Sequence, residues 1–283
     1  MTLHHHTPST PYQHAVWRTI ALQAADGPTN MAIDQAIAEA VGKGIQPPTL
    51  RFYTWQPGCL SLGFAQPAAD ADPDRLRAHG WDIVRRLTGG RAILHIDELT
   101  YSIAVPEGDP RVAGGVVESY RRLSRGLMLG LQQLGAAVEA ERGTGEAHGF
   151  KGPVCFEVPS DYEVTADGKK LLGSAQTRRF NAVLQHGALP LWGDITRICE
   201  ALAFEDEMLR EQARQRVAAR AVTLEGALGR LITPEEAARS LQEGLAEALN
   251  LWFEPAPLSA RETERAAELR ATRYADAAWT GRL

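Results

Sequence analysis

Along roughly the first two-thirds of the chain, apolar residues alternate with polar ones in short runs, the repeat of strands with one buried face. The spacing predicts strands over residues 19–23, 50–55, 59–63, 81–87, 92–105 and 138–141, with Pro57-Gly58 turning between the second and third. Residues 81–87 and 92–105 are expected to pair with each other across Thr88-Gly89-Gly90-Arg91, since two adjacent glycines between strands suit a hairpin. Interleaved with these runs are helical repeats. Thr29-Asn30 is expected to cap a helix whose Ile33, Ala36, Ile37, Ala40 and Val41 share one face. Asp72-Pro73 opens a short helix that Gly80 closes, and Leu123, Leu127, Leu131 and Leu134 mark a long one over residues 117–134 that Gly135 stops.

Beyond Pro190 the period changes. Residues 195–204, 208–220 and 233–249 read as helices; Thr233-Pro-Glu-Glu236 fits a capping box, and Ser259-Ala-Arg-Glu262 repeats the signal for a last helix. A strand-rich start and a helical end predict an α+β fold, a mixed or antiparallel sheet with helices against it. The expected organisation is a disordered tail over residues 1–18, then one domain over 19–283 whose helical portion begins at about residue 193.

Composition narrows the class. At 283 residues, 44% hydrophobic and 23% charged, the chain has the make-up of an ordinary globular protein with a substantial core. A net charge of −5 leaves no basic excess for general nucleic-acid binding, so no nucleic-acid partner is expected. A local basic patch is still available to an acidic partner, with Arg85, Arg86, Arg91, Arg178 and Arg179 as its candidates. Cys59, Cys155 and Cys199 form neither a CxxC pair nor a metal-ligand spacing, so no metal is expected and a reducing compartment is. No apolar run is long enough to span a membrane and the start has no signal-peptide core, which together point to a cytoplasmic protein without a membrane partner.

Candidate chemistry gathers in residues 152–187. Cys155 lies between Pro153 and Pro159, in a stretch too broken for a helix; Cys59 and Cys199, in a strand and on a helix face, read as small core hydrophobes. Two runs then pair across Asp167-Gly168, and in such a hairpin the neighbouring Lys169 and Lys170 point to opposite faces. Either amine is near enough in sequence to favour a thiolate at Cys155. Small residues at Gly173-Ser174-Ala175 let a ligand approach the backbone, where N–H groups can hold an oxyanion. Arg85 to Arg91 is not a Walker A motif, because no lysine follows its second glycine and Ala92-Ile93-Leu94 reads as strand. His95 and His186 each follow an alternating run, the setting of a hydrogen-bonded core histidine as much as of a catalyst.

Together, RRLTGGRAILH (residues 85–95), CFEVPSDYEV (155–164), GKKLLGSAQTR (168–178) and LQHGALPL (184–191) resemble the biotin/lipoate protein ligase family, with Asn30-Met-Ala-Ile-Asp34 similar to its Asn-Met-Ala-x-Asp helix. The resemblance spans about residues 25–191 in order. It implies a core like that of class II synthetases and biotin ligases, a central, largely antiparallel sheet flanked by helices. Within the family, the loop around Cys155 resembles the LipM type of octanoyltransferase. The second octanoyltransferase class carries its cysteine just before the His-Gly motif, where this chain has Val183-Leu184-Gln185. ATP-using lipoate ligases usually read Gly-Gly-Gly where this chain has Gly89-Gly90-Arg91.

The resemblance implies a cysteine-dependent octanoyl transfer, without cofactor, from octanoyl-acyl carrier protein to a lysine of an E2 lipoyl domain of a 2-oxoacid dehydrogenase or of glycine cleavage H protein. It implies Cys155 as the acyl carrier and Lys170 as its activating base or cation. The substrate wall falls to Arg85, Arg86, Thr88, Gly89, Gly90, Arg91, His95, Gly173, Ser174, Ala175, His186 and Gly187. Competing expectations are an ATP-dependent lipoate–protein ligase, octanoyl transfer from H protein to lipoyl domains, and a non-catalytic acyl- or lipoyl-binding module. A monomer is the expected state.

Overall fold

In the computed structural model of the chain, residues 10–141 and 163–283 are described. Among them, strands β1 (Ala15–Ala25), β2 (Thr49–Trp55), β6 (Glu98–Pro106), β7 (Val138–Glu141), β8 (Glu163–Ala166), β9 (Lys169–Arg179), β10 (Ala182–Pro190) and β11 (Leu251–Pro255) form one eight-stranded sheet in the order β11-β1-β2-β6-β10-β9-β8-β7. Only the β11–β1 and β1–β2 pairs are parallel. Strands β3 (Cys59–Leu62), β4 (Asp82–Arg85) and β5 (Ile93–His95) form a second sheet in the order β4-β3-β5. The α+β expectation, with a largely antiparallel central sheet, holds.

Period-two alternation assigns each face of the central sheet a different task. Leu50 and Phe52 of β2, Leu99, Tyr101, Ile103 and Val105 of β6, and Val183 and Leu189 of β10 pack on helices α3 (Val116–Gln133) and α6 (Pro234–Leu249). The opposite face, more polar, receives helix α1 (Gly27–Gly42), itself covered by α7 (Ala260–Leu269). The small sheet closes over the end of that face, backed by α2 (Pro73–His79) and α4 (Glu207–Arg220).

Four expectations change. Strand β1 begins at Ala15, so residues 15–18 belong to the fold: Trp17 is core, and buried Arg18 makes a fork to Glu262 at 2.5 and 2.8 Å. Glu262 is also the capping-box residue of α7, so one carboxylate closes that helix and ties it to the sheet. Helix α1 is capped by Asp26, three residues before the Thr29-Asn30 signal, with Pro28 in its first turn; Asn30 is buried inside the helix. Residues 81–105 are not a hairpin, because β4 and β5 each pair with β3 between them, and Asp97 at φ 53° breaks the long run into β5 and β6. The last third is not wholly helical: β11 extends the central sheet, and residues 195–204 supply only a 3-10 turn, Ile195–Glu200.

Helices α3 and α6 meet backbone to backbone. A Cβ at Gly130 falls 2.5 Å from the Ser240 carbonyl and 2.6 Å from Leu241 Cα, and Ser240 Oγ donates to the Gly130 carbonyl at 2.7 Å. Gly130→Val must force these helices apart, and loses ~2 kcal/mol or more of stability in denaturant unfolding. Gly108→Ala, whose Cβ meets nothing within 4 Å, stays within ~0.5 kcal/mol. Equal stability of the two variants contradicts the close packing.

Candidate active site

Cross-strand register sets side chains of the polar face in rows. One row runs Arg51–Ser102–His186–Ala175 across β2, β6, β10 and β9, and the next runs Tyr53–Thr100–Ala188–Gly173. The second row shrinks steadily from β2 to β9 and the first ends on Ala175, so the sheet floor falls away over Gly173, Ala175 and Ala188. Above this floor lies a largely apolar cavity of about 430 Å³, counting the open solvent space at its mouth. Met31 of α1 walls it on one side, and Ser61, Arg86, Gly90, Ile93 and His95 from the small sheet and its loop cover it.

Asp34 of α1 is the polar centre of the face. Its carboxylate accepts from Arg51 Nη1 at 2.7 Å and from the Tyr53 hydroxyl at 2.8 Å, and lies 3.4 Å from His186 Nδ1. Burial raises its pKa, but His186, Arg51 and Tyr53 together overcome that and hold it below the ordinary carboxylate value. His186 shifts down as well: burial disfavours the imidazolium, and the pull of Asp34 does not offset it. Asp34 is therefore ionised through Arg51, and the imidazole stays neutral. His186 Nε2 is 2.7 Å from Thr88 Oγ1, which joins the glycine loop to the network.

A second buried network lies across the cavity. Ser61 Oγ is 2.7 Å from His95 Nε2, and His95 Nδ1 is 2.9 Å from Glu98 Oε1. Thr100 donates to the same carboxylate and accepts from Trp55 Nε1 at 2.8 Å, while the Trp55 ring stacks on His95 at 4.0 Å. Arg86 donates to Ser61 Oγ at 3.1 Å and to the carbonyls of Gly89 and Arg91 at 2.9 and 2.7 Å. It thus holds the loop closed from inside. Gly90 sits at φ 91°, and its carbonyl packs so tightly on Gly63 that a side chain there has no room.

Of the residues singled out from sequence, Arg86, Gly90, His95, Gly173, Ser174, Ala175, His186 and Gly187 line this one cavity. Thr88 reaches it through His186; Gly89 and Arg91 contribute carbonyls that bind Arg86. Arg85 does not reach it. Strand alternation sends its guanidinium the other way, to the carbonyls of Gly63, Gln66 and Thr280. Arg178 is likewise committed, to Val112 O and Ser119 Oγ. Lys170 is the buried member of its pair, its Nζ 2.8 Å from Glu163 Oε1, whereas half-buried Lys169 reaches the Ala218 carbonyl at 3.0 Å. Cys155 lies outside the described residues. Cys59 and Cys199 are buried core thiols, and burial pushes the Cys59 thiol well up.

Sequence reading passed over Arg51, Tyr53, Trp55, Ser61, Glu98 and Thr100 as functional candidates. The signal in β2 was available: three polar or amphipathic residues at alternate positions facing away from Leu50 and Phe52 mark a strand whose second face is not core.

Residues 26–246 match the family described as lipoyl protein ligase A/B catalytic domain. The octanoyltransferase LipM of an Exiguobacterium species is 39% identical over 269 residues, covering 93% of this chain and 97% of its own. That of Kyrpidia tusciae is 41% identical over 265 residues, covering 92% and 97%. Among solved structures, a bipartite lipoate protein ligase from Thermoplasma acidophilum superposes with a TM-score of 0.79 at 24% identity, covering 95% of this chain and 98% of its own. That last likeness speaks to the fold. With its cavity built from the glycine loop, the Gly173–Ala175 edge and the His186-Gly187 pair, and with relatives matched over nearly their whole length, the chain belongs to the lipoyl protein ligase A/B catalytic-domain family, as a LipM-type octanoyltransferase.

Proposed function

We propose that the chain, acting as a single catalytic domain, takes octanoyl from octanoyl-acyl carrier protein and transfers it to a lysine of a lipoyl domain or of glycine cleavage H protein. The reading is carried by the cavity: a slot apolar along its floor, whose Ser61, His95 and His186 are already hydrogen-bonded, supports an acyl chain as its occupant. In the first step the Cys155 thiol ionises and attacks the thioester carbonyl, an enzyme C–S bond forms as the donor C–S bond breaks, and the departing donor thiolate takes up the proton that Cys155 gave up. In the second, the acceptor amine attacks the enzyme thioester; a C–N bond forms, the enzyme C–S bond breaks, and the amine proton returns to the cysteine. A thioester is exchanged for an amide, so no nucleotide is consumed.

Lys170 supplies the charge control in this scheme. Its pairing with Glu163, at the point where the described chain resumes eight residues after Cys155, supports a cation that steadies the thiolate over a neutral base. Oxyanion donors fall to β9. Beyond Leu172 its outer edge has no strand partner among the described residues, so N–H groups of residues 173–175 on that edge are not consumed by the sheet.

Octanoyl carrier protein and a lipoyl domain, incubated without ATP and read by intact mass, give an octanoylated lipoyl domain. Cys155→Ala abolishes the product, and Lys170→Ala slows it by roughly 100-fold or more. Lys169→Ala stays within a few-fold of wild type. Product formed only with ATP, or formed equally by Cys155→Ala, overturns the covalent transfer.

Keeping His186 neutral has a cost in acid. His186 is depressed in the folded protein, so the unfolded chain takes up its proton first. Stability is unaffected above the ordinary histidine value near pH 6.5 and is lost as pH falls below it. Asp34, also depressed, contributes stability that fades only below about pH 3.9. Between pH 7 and 5, unfolding free energy therefore falls less in His186→Asn than in wild type. An identical loss in both contradicts a neutral buried imidazole.

A further inference from the structure

Three guanidinium groups from distant parts of the chain converge on two rings. Arg179, ending β9, has its Cζ 4.5 Å from the centre of Phe64. Arg282 lies 3.9 Å from Phe64 and 4.0 Å from Trp279, and Arg273 lies 4.9 Å from Trp279. Contact with a ring face restrains a guanidinium without consuming its N–H donors. Few of those donors are used within the fold: Arg282 donates to the Phe64 carbonyl at 2.6 Å and Arg273 to Gln35 Oε1 at 2.9 Å, while buried Arg282 Nε has no partner. Among the described residues no carboxylate pairs with any of the three. By contrast, Arg18, Arg51, Arg75, Arg197 and Arg265 each meet an acid. Burial, and after it the neighbouring Arg179 and Arg273, lowers the pKa of Arg282.

The cluster stands directly behind the cavity wall. Phe64 N–H donates to the Thr88 carbonyl at 2.9 Å, and Thr88 holds His186. Trp279 Nε1 donates to the Arg85 carbonyl at 2.9 Å, one residue from Arg86 in the cavity lining. An anion bound here is therefore one loop away from the acyl slot. Several guanidinium groups brought in from separate segments suit phosphate oxygens, which diverge in three dimensions; a planar carboxylate is served by a single guanidinium fork.

We propose that Arg179, Arg273 and Arg282 bind the phosphate ester of the acyl donor, the group through which a carrier protein's thiol-terminated arm is attached, so that the thioester end is delivered to the cavity. The identity of the ligand rests on the thioester-donor reading above; the site itself rests on the arginine geometry.

The test separates the two. 4′-Phosphopantetheine and pantetheine are titrated calorimetrically into the wild type, Arg179→Gln and Arg179→Ala/Arg282→Ala, with circular dichroism confirming the fold of each. The phosphorylated compound binds wild type about 10-fold or more tightly than pantetheine, Arg179→Gln narrows that gap, and the double variant erases it. The S-octanoyl derivatives of both compounds then serve as donors. The phosphate lowers KM for wild type and leaves kcat unchanged, and the double variant uses both donors alike. Equal binding of the two compounds to wild type overturns the proposal, as does a double variant that loses both equally. Carrier protein lacking its arm, if it binds as tightly as carrier protein bearing it, overturns it in favour of a protein–protein contact. Phosphate-dependent binding without octanoyl transfer from either donor leaves the anion site standing and removes the acyl-transfer reading instead.

Discussion

A single buried negative charge on α1 organises the reactive face. An ionised carboxylate removed from water is costly unless it is both paired and hydrogen-bonded, and Asp34 satisfies that demand from three directions at once. Arg51 and Tyr53 must come from alternate positions of β2, and His186 from β10, so α1 is pinned over two strands separated by β6. Arg51 is fixed in turn by the carbonyl and side chain of Asn30, whose amide bonds back to the ends of β1 and β2. Because His186 also meets Thr88, the position of the glycine loop follows from the same carboxylate. The cavity is the space left once these bonds are made over a floor of glycine and alanine.

What was legible in the sequence was local. The Asp167-Gly168 turn was readable because two consecutive residues with positive φ make a hairpin by themselves, and alternation then separated Lys170 from Lys169. Helix caps at Asp72, Thr233 and Ser259 are equally local and lie where the residues indicated. Pairings between distant segments were not legible. Strands β4 and β5 look like a glycine hairpin until β3 is known to lie between them, and β11 is a short run whose partner β1 is more than two hundred residues away in sequence. The alternation that sorted the two lysines applies to Arg85 and Arg86 as well. It divides them into an anchor for the C-terminal segment and a cavity residue.

The same contrast marks the boundary between scaffold and chemistry. Arg85, Arg86 and Arg178 spend donors on backbone carbonyls, tying loops and helix ends together. Arg179, Arg273 and Arg282 gather on Phe64 and Trp279 and meet no carboxylate among the described residues. A largely apolar slot and an unneutralised cationic cluster, back to back across the glycine loop, match the two ends of a substrate with an apolar acyl chain and an anionic handle.

The most direct measurement is to locate the acyl chain itself. An octanoyl thioester bearing a photoreactive group at the far end of its chain, activated in complex with the protein and followed by peptide mapping, should label Met31 or Ala188. Labelling instead at Trp192 or Ile195, which line a separate pocket on the other side of β5, contradicts the assignment of the cavity as the acyl site.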